Sequence, residues 1–402
     1  MIRQQLLICG ASLFLCGSLL STARAEDGVD KKAATATPAA KVGADKDTKD
    51  ASPKPSMIRS EDGKIDVSNF LDQAYGFLPV VVPITEPAVG AGAVAALAFI
   101  DRPKNEGGGF NRPNISVIGG LGTENGTSGY FGGDMRYWLD NRLQTLVGGI
   151  KTQVNLDYYG NGREGFLNRS PQSYTLDVTG ATAQAKYRVG ESQNWLGMSY
   201  LIADTRVSFD NNRTLPLADR GLTISGVGFY FTHDTRDNIF TARDGNLFEA
   251  SATVFSDALG SDLDFKRYNL VGMQYRPINN KVSLGFRESF TANSGNTPFY
   301  MQPFVYMRGV PAMRYMGEKV AQIEAEVFWR VWDRTSLIGF VGAGAAAGKI
   351  GDMSRDSTVA AGGVGVRYEI ARKYGLHVGL DAAWSRDGPA VYIQVGSAWM
   401  RP

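Results

Sequence analysis

From Leu78 onward the side chains alternate between apolar and polar or glycine, with a period of two, over runs long enough to cross a membrane. Phe248, Ala250, Ala252 and Val254 alternate with Glu249, Ser251 and Thr253. Val282, Leu284 and Phe286 alternate with Ser283, Gly285 and Arg287, and Val364, Val366, Tyr368 and Ile370 with Gly363, Gly365, Arg367 and Glu369. Leu376, Val378, Leu380 and Ala382 alternate with His377, Gly379 and Asp381. Successive side chains of a strand point to opposite faces, so each run is a strand with one apolar face. A soluble sandwich also alternates, but its strands need not reach the ~9–11 residues that a tilted membrane strand requires. Short connections such as Asp140-Asn141 and Asp333-Arg334 interleave with long ones such as Tyr159 to Gln172, the habit of membrane barrels. Aromatic residues near strand ends (Tyr137, Trp138, Trp195, Trp332, Trp384, Trp399) fit interfacial girdles. The expected fold is all-β: a transmembrane antiparallel β-barrel of about sixteen strands over residues 78–402.

The N-terminus is consistent with export. Arg3, the apolar run Leu6 to Leu20 and Ala23-Arg24-Ala25 make a signal peptide over residues 1–25, with cleavage before Glu26. Both cysteines, Cys9 and Cys16, fall inside it, which leaves the exported chain without disulfides, thiolate chemistry or cysteine-bound metal. Residues 26–60 are rich in Ala, Lys, Asp, Thr and Pro and bury too little apolar surface to order themselves, so they are expected to form a disordered periplasmic linker open to a periplasmic partner. Within residues 61–77, Phe70, Leu71 and Ala74 fall at helical spacing behind Ser68 as cap, which predicts a short helix. Hydrophobic content of 43% and mean hydropathy of −0.18 look ordinary, as they must when only alternate residues meet lipid. Pro87 to Ile100, the most hydrophobic stretch after the leader, is too short for a spanning helix and fits a second strand. The expected location is the bacterial outer membrane, in contact with its lipids.

Chemistry-bearing motifs are scarce. The chain has two histidines, His233 and His377, and no G-x-S-x-G elbow, so neither a triad nor a metal centre is indicated and no cofactor is expected. Gly344 to Ile350 is one residue short of a P-loop and lacks its Ser/Thr. A formal net charge of +2 gives no nucleic-acid footprint. The informative cluster is Met307-Arg308-Gly309-Val310-Pro311 at the end of an aromatic approach, followed by Gln322-Ile323-Glu324-Ala325-Glu326. Ile323, Ala325 and Val327 must meet lipid, so Glu324 and Glu326 face the lumen, where Arg308 can neutralise them. The alternative pairs the glutamates with Arg287 or Arg330.

These residues resemble the barrel of the BamA/TamA superfamily (bacterial surface antigen family). The resemblance rests on the Arg308-Gly309 loop, the two-glutamate strand after it and the turn running from Asp234 through Arg236 and Asp237 to Gly245. Pro83 to Gly90 is similar to the entry strands of short members without periplasmic POTRA domains. The resemblance covers Ile65 to Pro402 and implies eleven strands before the loop and five after it. It also implies an inward-folded loop locked by its arginine against carboxylates on the next two strands. The first matches at Glu324 and Glu326; the second reads Phe340-Val341-Gly342-Ala343-Gly344, with glycine where aspartate is usual, which either weakens the lock or leaves it to the glutamates alone. The implied function is insertion or translocation of protein or lipid, with no enzymatic activity. A passive pore and a structural or partner-anchoring barrel stay open as alternatives. Gln394, Gly396 and Trp399 partly match a C-terminal sorting strand read by the barrel-assembly machinery. At the seam, the first strand is expected to pair with the last. Pro79 and Pro83 lie four apart and so leave their missing donors on one edge of the first strand. That edge faces either the last strand, weakening closure, or the second strand.

Overall fold

The computed structural model describes residues 58–59, 63–73, 77–101, 114–160, 170–210, 221–348 and 358–400. The predicted signal peptide and nearly all of the predicted linker lie outside them. After a short helix, α1 (Ser68–Gln73), come β1 (Leu78–Glu86), β2 (Gly90–Asp101), β3 (Asn114–Thr123), β4 (Ser128–Trp138), β5 (Leu143–Tyr158), β6 (Gln172–Arg188), β7 (Asn194–Phe209) and β8 (Gly221–Asp234). The second half comprises β9 (Gly245–Phe255), β10 (Phe265–Pro277), β11 (Val282–Gly295), β12 (Lys319–Arg330), β13 (Thr335–Ala347), β14 (Thr358–Ala371), β15 (Leu376–Ser385) and β16 (Gly388–Val395). Each strand pairs antiparallel with its neighbours in sequence to give one 16-stranded sheet. Eleven strands precede the Arg308 loop and five follow it.

The pleat sorts side chains as the alternation requires. On β12, Ile323 (61% exposed) faces outward while Glu324 (7%) faces the lumen. Val341, Val364, Leu380 and Val391 are likewise exposed, and Arg287, Arg367, His377 and Asp381 are buried inside. β2 departs from the pattern because it is apolar on both faces: Leu97 and Phe99 point out, while Val94, Ala96, Ala98 and Ile100 point in. The inward set packs against a loop that enters the lumen, described below.

The alternation of short and long connections holds only in part. Residues 139–142, 189–193, 278–281, 331–334 and 372–375 join strands at one end, called here the turn end, but 235–244 at that end is long. At the opposite, loop end, 87–89, 124–127 and 386–387 are tight. The girdle expectation needs two corrections. Trp138, Trp332 and Trp384 are about half exposed or more, but Tyr137 (8%) faces inward beside Ile115 and Met135, and Trp399 (4%) is buried.

The N-terminal segment fastens to the turn end. Asp66 pairs with Arg334 at 2.8 Å, and the Val67 N–H donates to the Ile370 carbonyl at 2.8 Å. The Ser68 N–H donates to Asp66 Oδ1, so Asp66 caps α1 rather than Ser68. The Ser68 hydroxyl instead accepts from the Lys373 N–H.

Candidate functional site in the lumen and at the seam

Residues 296–318, between β11 and β12, fold back into the barrel as a hairpin: Val305 N–H donates to Tyr315 O, and Gly317 N–H to Pro303 O. One side is apolar. Tyr300, Phe304, Met313 and Met316 pack on the inward residues of β2, β3 and β4, including Ala98, Val117 and Phe131. Burying this many large side chains against a wall, at roughly 1.5–3 kcal/mol each, is what holds a loop this long in one place.

The other side carries Arg308 at a tight tip, closed by Val310 N–H to Met307 O. Arg308 is 4% exposed. Its Nη2 lies 2.5 Å from Glu326 Oε2 and its Nη1 lies 2.8 Å from Asp381 Oδ2. The guanidinium carbon sits 3.6 Å from the centre of the Phe340 ring. Asp381 also takes both Nη atoms of Arg367, at 2.5 and 2.8 Å.

The lock therefore differs from the sequence expectation in one partner. Glu324 does not hold Arg308; it is bound by Arg287 Nη1 at 2.6 Å. The register explains why. Arg287 is the cross-strand neighbour of Glu324, whereas Glu326 lies opposite Gly285 and Phe340. Glu324 is thus neutralised within the wall, and Glu326 has only the loop to turn to. The second carboxylate is Asp381 on β15. Gly342, where the resemblance implies an aspartate, has no room for one: a Cβ there would stand 2.9 Å from Glu324 Cγ and 3.2 Å from Met307 Sδ. Asp381 was visible in the sequence as an inward residue of β15, but nothing local linked it to a loop more than seventy residues upstream.

Gly309 completes the tip. Its φ of +87° and the Cβ positions of Ala361 and Ala383, 3.2 and 3.3 Å from where its own Cβ would be, leave room only for glycine. Its N–H donates to Tyr392 Oη of β16 at 2.9 Å, and its carbonyl accepts from Ser385 Oγ at 2.5 Å. Further along, Ala312 N–H donates to Glu86 Oε1 of β1 at 3.1 Å. Tyr315 Oη donates to Asp387, in the β15–β16 turn, at 2.8 Å. The loop thus touches both the first strand and the last; Glu86, Ser385, Tyr392 and Asp387 had carried no signal of this.

Among the described residues no backbone ladder joins β1 to β16, which corrects the expected pairing of first and last strands. Their recorded link is Ile393 N–H to Thr85 Oγ1 at 3.2 Å. The orientation of the edges follows from the turns. Glu86 O accepts from Val89 N–H across the β1–β2 turn, and Ala91 O accepts from Glu124 N–H on the β3 side. Alternate residues direct their backbone groups to opposite edges. Val80, Val82 and Ile84 therefore face β2, and Pro79, Val81, Pro83 and Thr85 face the seam. On β16, Gly396 N–H (φ +75°) donates to His377 O of β15, which leaves Pro389, Val391, Ile393 and Val395 facing β1. Three prolines thus remove donors from the two facing edges.

The turn from Asp234 to Gly245 closes the other end. Asp234 takes Arg236 Nε and Nη2 at 2.9 and 2.8 Å, and Asp237 Oδ1 accepts from the Arg243 and Asp244 N–H groups. A Cβ on Gly245 would meet the Thr235 carbonyl at 2.2 Å. Phe240, 1% exposed, packs with Ala371 and Leu376, and its carbonyl accepts from Ser397 N–H. Gln394 (3% exposed) faces inward. Beyond β16 the chain turns into the lumen, where Trp399 packs on Tyr275 and over Gly285. That position explains why Trp399 is not an outward aromatic. No group of three or more His, Cys, Asp or Glu able to hold a metal occurs among the described residues.

A sequence model for the Omp85 superfamily domain matches residues 119–305. Comparison with curated protein sequences gives no match. Among solved structures, BamA from Haemophilus ducreyi lacking POTRA domains 1–3 superposes with a TM-score of 0.54 at 10% identity, covering 84% of this chain and 79% of that one. CdiB from Escherichia coli superposes with a TM-score of 0.55 at 12% identity, covering 79% of this chain and 61% of that one. CdiB from Acinetobacter baumannii gives 0.51 at 8% identity, over 79% and 59%. The chain spans about three fifths of the CdiB proteins it superposes on. At these identities the superpositions establish the shared barrel fold, and the Omp85 domain match and the inward arginine loop agree with it. The chain is an outer-membrane β-barrel of sixteen strands, similar in fold to BamA and CdiB and matching the Omp85 superfamily domain over residues 119–305.

Proposed function

We infer that the barrel inserts or translocates a polypeptide or lipid at the outer membrane through a seam that opens sideways between β1 and β16. The observation that carries this reading is the unladdered seam, whose facing edges lack donors at Pro79, Pro83 and Pro389. An ordinary strand boundary in lipid must satisfy its backbone groups internally, because hydrocarbon offers no substitute partner. A junction without its ladder is the one that opens at least cost. The loop-filled lumen argues against an open porin, since Arg308 and its apolar neighbours occupy the space through which solute would pass.

The test is a reversible lock. With Cys9 and Cys16 in the predicted leader, Thr85→Cys and Ile393→Cys supply the only thiol pair of the exported chain. In vesicles, the reduced pair should accelerate insertion of an unfolded eight-stranded barrel client, and the oxidised pair should not. Equal acceleration in both states excludes the seam as the path. A second reading, a barrel that anchors a periplasmic partner, is favoured by the Asp66–Arg334 pair, which would hold the linker at a defined place on the turn end.

A further inference from the structure

The outward face of β9 to β13 carries a hollow of about 570 Å³, walled by Phe248, Leu270, Phe290 and Ile323 over a floor that includes Gly272 and Ala321. Glu288 opens into it. Gly272, Glu288 and Ile323 share one row of the sheet. The outward residues of β12 run from Trp329 at the turn end through Val327, Ala325, Ile323 and Ala321 to Lys319. The row of Glu288 is therefore in the middle of the apolar band. The side chain is exposed and makes no hydrogen bond or ion pair with any described residue. It lies over the floor, since a Cβ on Gly272 would come within 2.9 Å of Glu288 Oε2. A bare carboxylate facing hydrocarbon at this depth is costly, which singles it out as a functional group.

The polar residues below it are ordered. Going from Glu288 toward the turn end, the outward face of β10 presents Gln274 and then Arg276. The exposed Arg276 donates to neutral oxygens: the Tyr275 carbonyl at 2.7 Å, Asn246 Oδ1 at 2.9 Å and the Gly245 carbonyl at 3.4 Å. It has no carboxylate partner among the described residues. The adjoining outward residues Leu284 and Phe286 on β11 and Phe248 and Ala250 on β9 are apolar, and Asn246 on β9, opposite Gln274, adds a second amide. A track of cation, amides and anion thus runs from the membrane edge to mid-depth, with apolar side chains beside Glu288.

The order of the charges selects the occupant. A phospholipid at rest holds its phosphate nearer the hydrocarbon and its ammonium nearer water, the reverse of this track. A lipid moving into the bilayer headgroup first presents its ammonium to Glu288 while its phosphate trails at Arg276, each as a charge-assisted contact. We propose that this hollow binds the headgroup of a phospholipid bearing a primary ammonium as it crosses the bilayer along the outside of the barrel. The site is separate from the seam, so it stands whether or not the seam opens.

The experiment uses the full exported chain in phosphatidylcholine vesicles carrying a trace of acyl-labelled fluorescent phosphatidylethanolamine or phosphatidylglycerol, with dithionite quenching from outside. A soluble fluorophore trapped inside reports any leak of quencher through the lumen. The ethanolamine lipid should lose its inner-leaflet label with wild type, faster than the glycerol lipid. Glu288→Leu should slow that loss by about tenfold or more, and Arg276→Ala should slow it in the same direction. Glu288→Leu removes a charge from the lipid face, so its heat-modified mobility should show a barrel at least as well folded as wild type. Equal rates for the two lipids, equal rates for wild type and Glu288→Leu, or no movement beyond protein-free vesicles each overturn the proposal. So does an effect of Glu288→Leu that appears only with an unfolded barrel.

Discussion

Replacing Arg308 with alanine should free the inward loop, and the structure sets the size of the effect. Breaking a buried charge pair by removing one partner costs about 3–5 kcal/mol, chiefly because the other charge is stranded. The two carboxylates that Arg308 touches do not suffer equally. Asp381 keeps both bonds from Arg367, whereas Glu326, with its side chain 14% exposed, has no other partner among the described residues. The stacking on Phe340 is lost as well, at about 0.5–1 kcal/mol. A total of about 3 kcal/mol follows, because Glu326 keeps some access to lumen water. That is a shift of about 150-fold in the docked-to-undocked equilibrium of the loop tip. Single-channel conductance of the reconstituted barrel should rise in Arg308→Ala, and amide exchange should accelerate at Met307 to Val310. Adding Glu326→Gln should recover most of the loss, since the stranded charge is gone. Arg287→Ala should destabilise the wall between β11 and β12 without opening the pore, because Arg287 serves Glu324 and not the loop. Wild-type conductance and exchange in Arg308→Ala, or an equal opening by Arg287→Ala, would refute the lock.

Asp66, outside the barrel wall, should make attachment of the N-terminal segment acid-sensitive. Burial raises its pKa, but the bonds from Ser68 and Arg334 outweigh burial and hold the carboxyl below its ordinary range. The stabilisation is therefore full above the unfolded-state value of about 3.9 and lost as pH falls through the lower folded-state value. Protease cleavage near Asp66 should accelerate only under such acid conditions, and Asp66→Asn should be cut readily at neutral pH as well. For topology, the loop end is expected outside the cell, so Ala258→Cys should label from intact cells with an impermeant reagent. Asn280→Cys, at the turn end, should not label, and the opposite result reverses the orientation.

The alternation of side chains was enough to specify a membrane barrel and the side of the wall on which each residue stands. Period two is a local property of the backbone, so Glu324, Glu326 and Asp381 could all be placed in the lumen from their neighbours alone. Parity likewise put Pro79 and Pro83 on a single edge of β1. Which edge that is was decided by the β1–β2 turn, where the Glu86 carbonyl closes onto Val89. The partner of Arg308 was beyond the sequence for a related reason. A strand residue meets its wall neighbours by register, but a loop crossing the lumen meets whichever strands the curvature of the whole barrel brings opposite. The register gave Glu324 to Arg287, and the curvature brought Asp381 of β15 and Tyr392 of β16 to the tip. Trp399 is a similar case. Its place near a strand end suggested the lipid interface, but the chain turns inward after β16 because Ser397 binds the Phe240 carbonyl and the ring finds room over Gly285. Local pattern determines the wall and its two faces; what fills the lumen, and where the wall fails to close, depends on contacts between segments far apart in the chain.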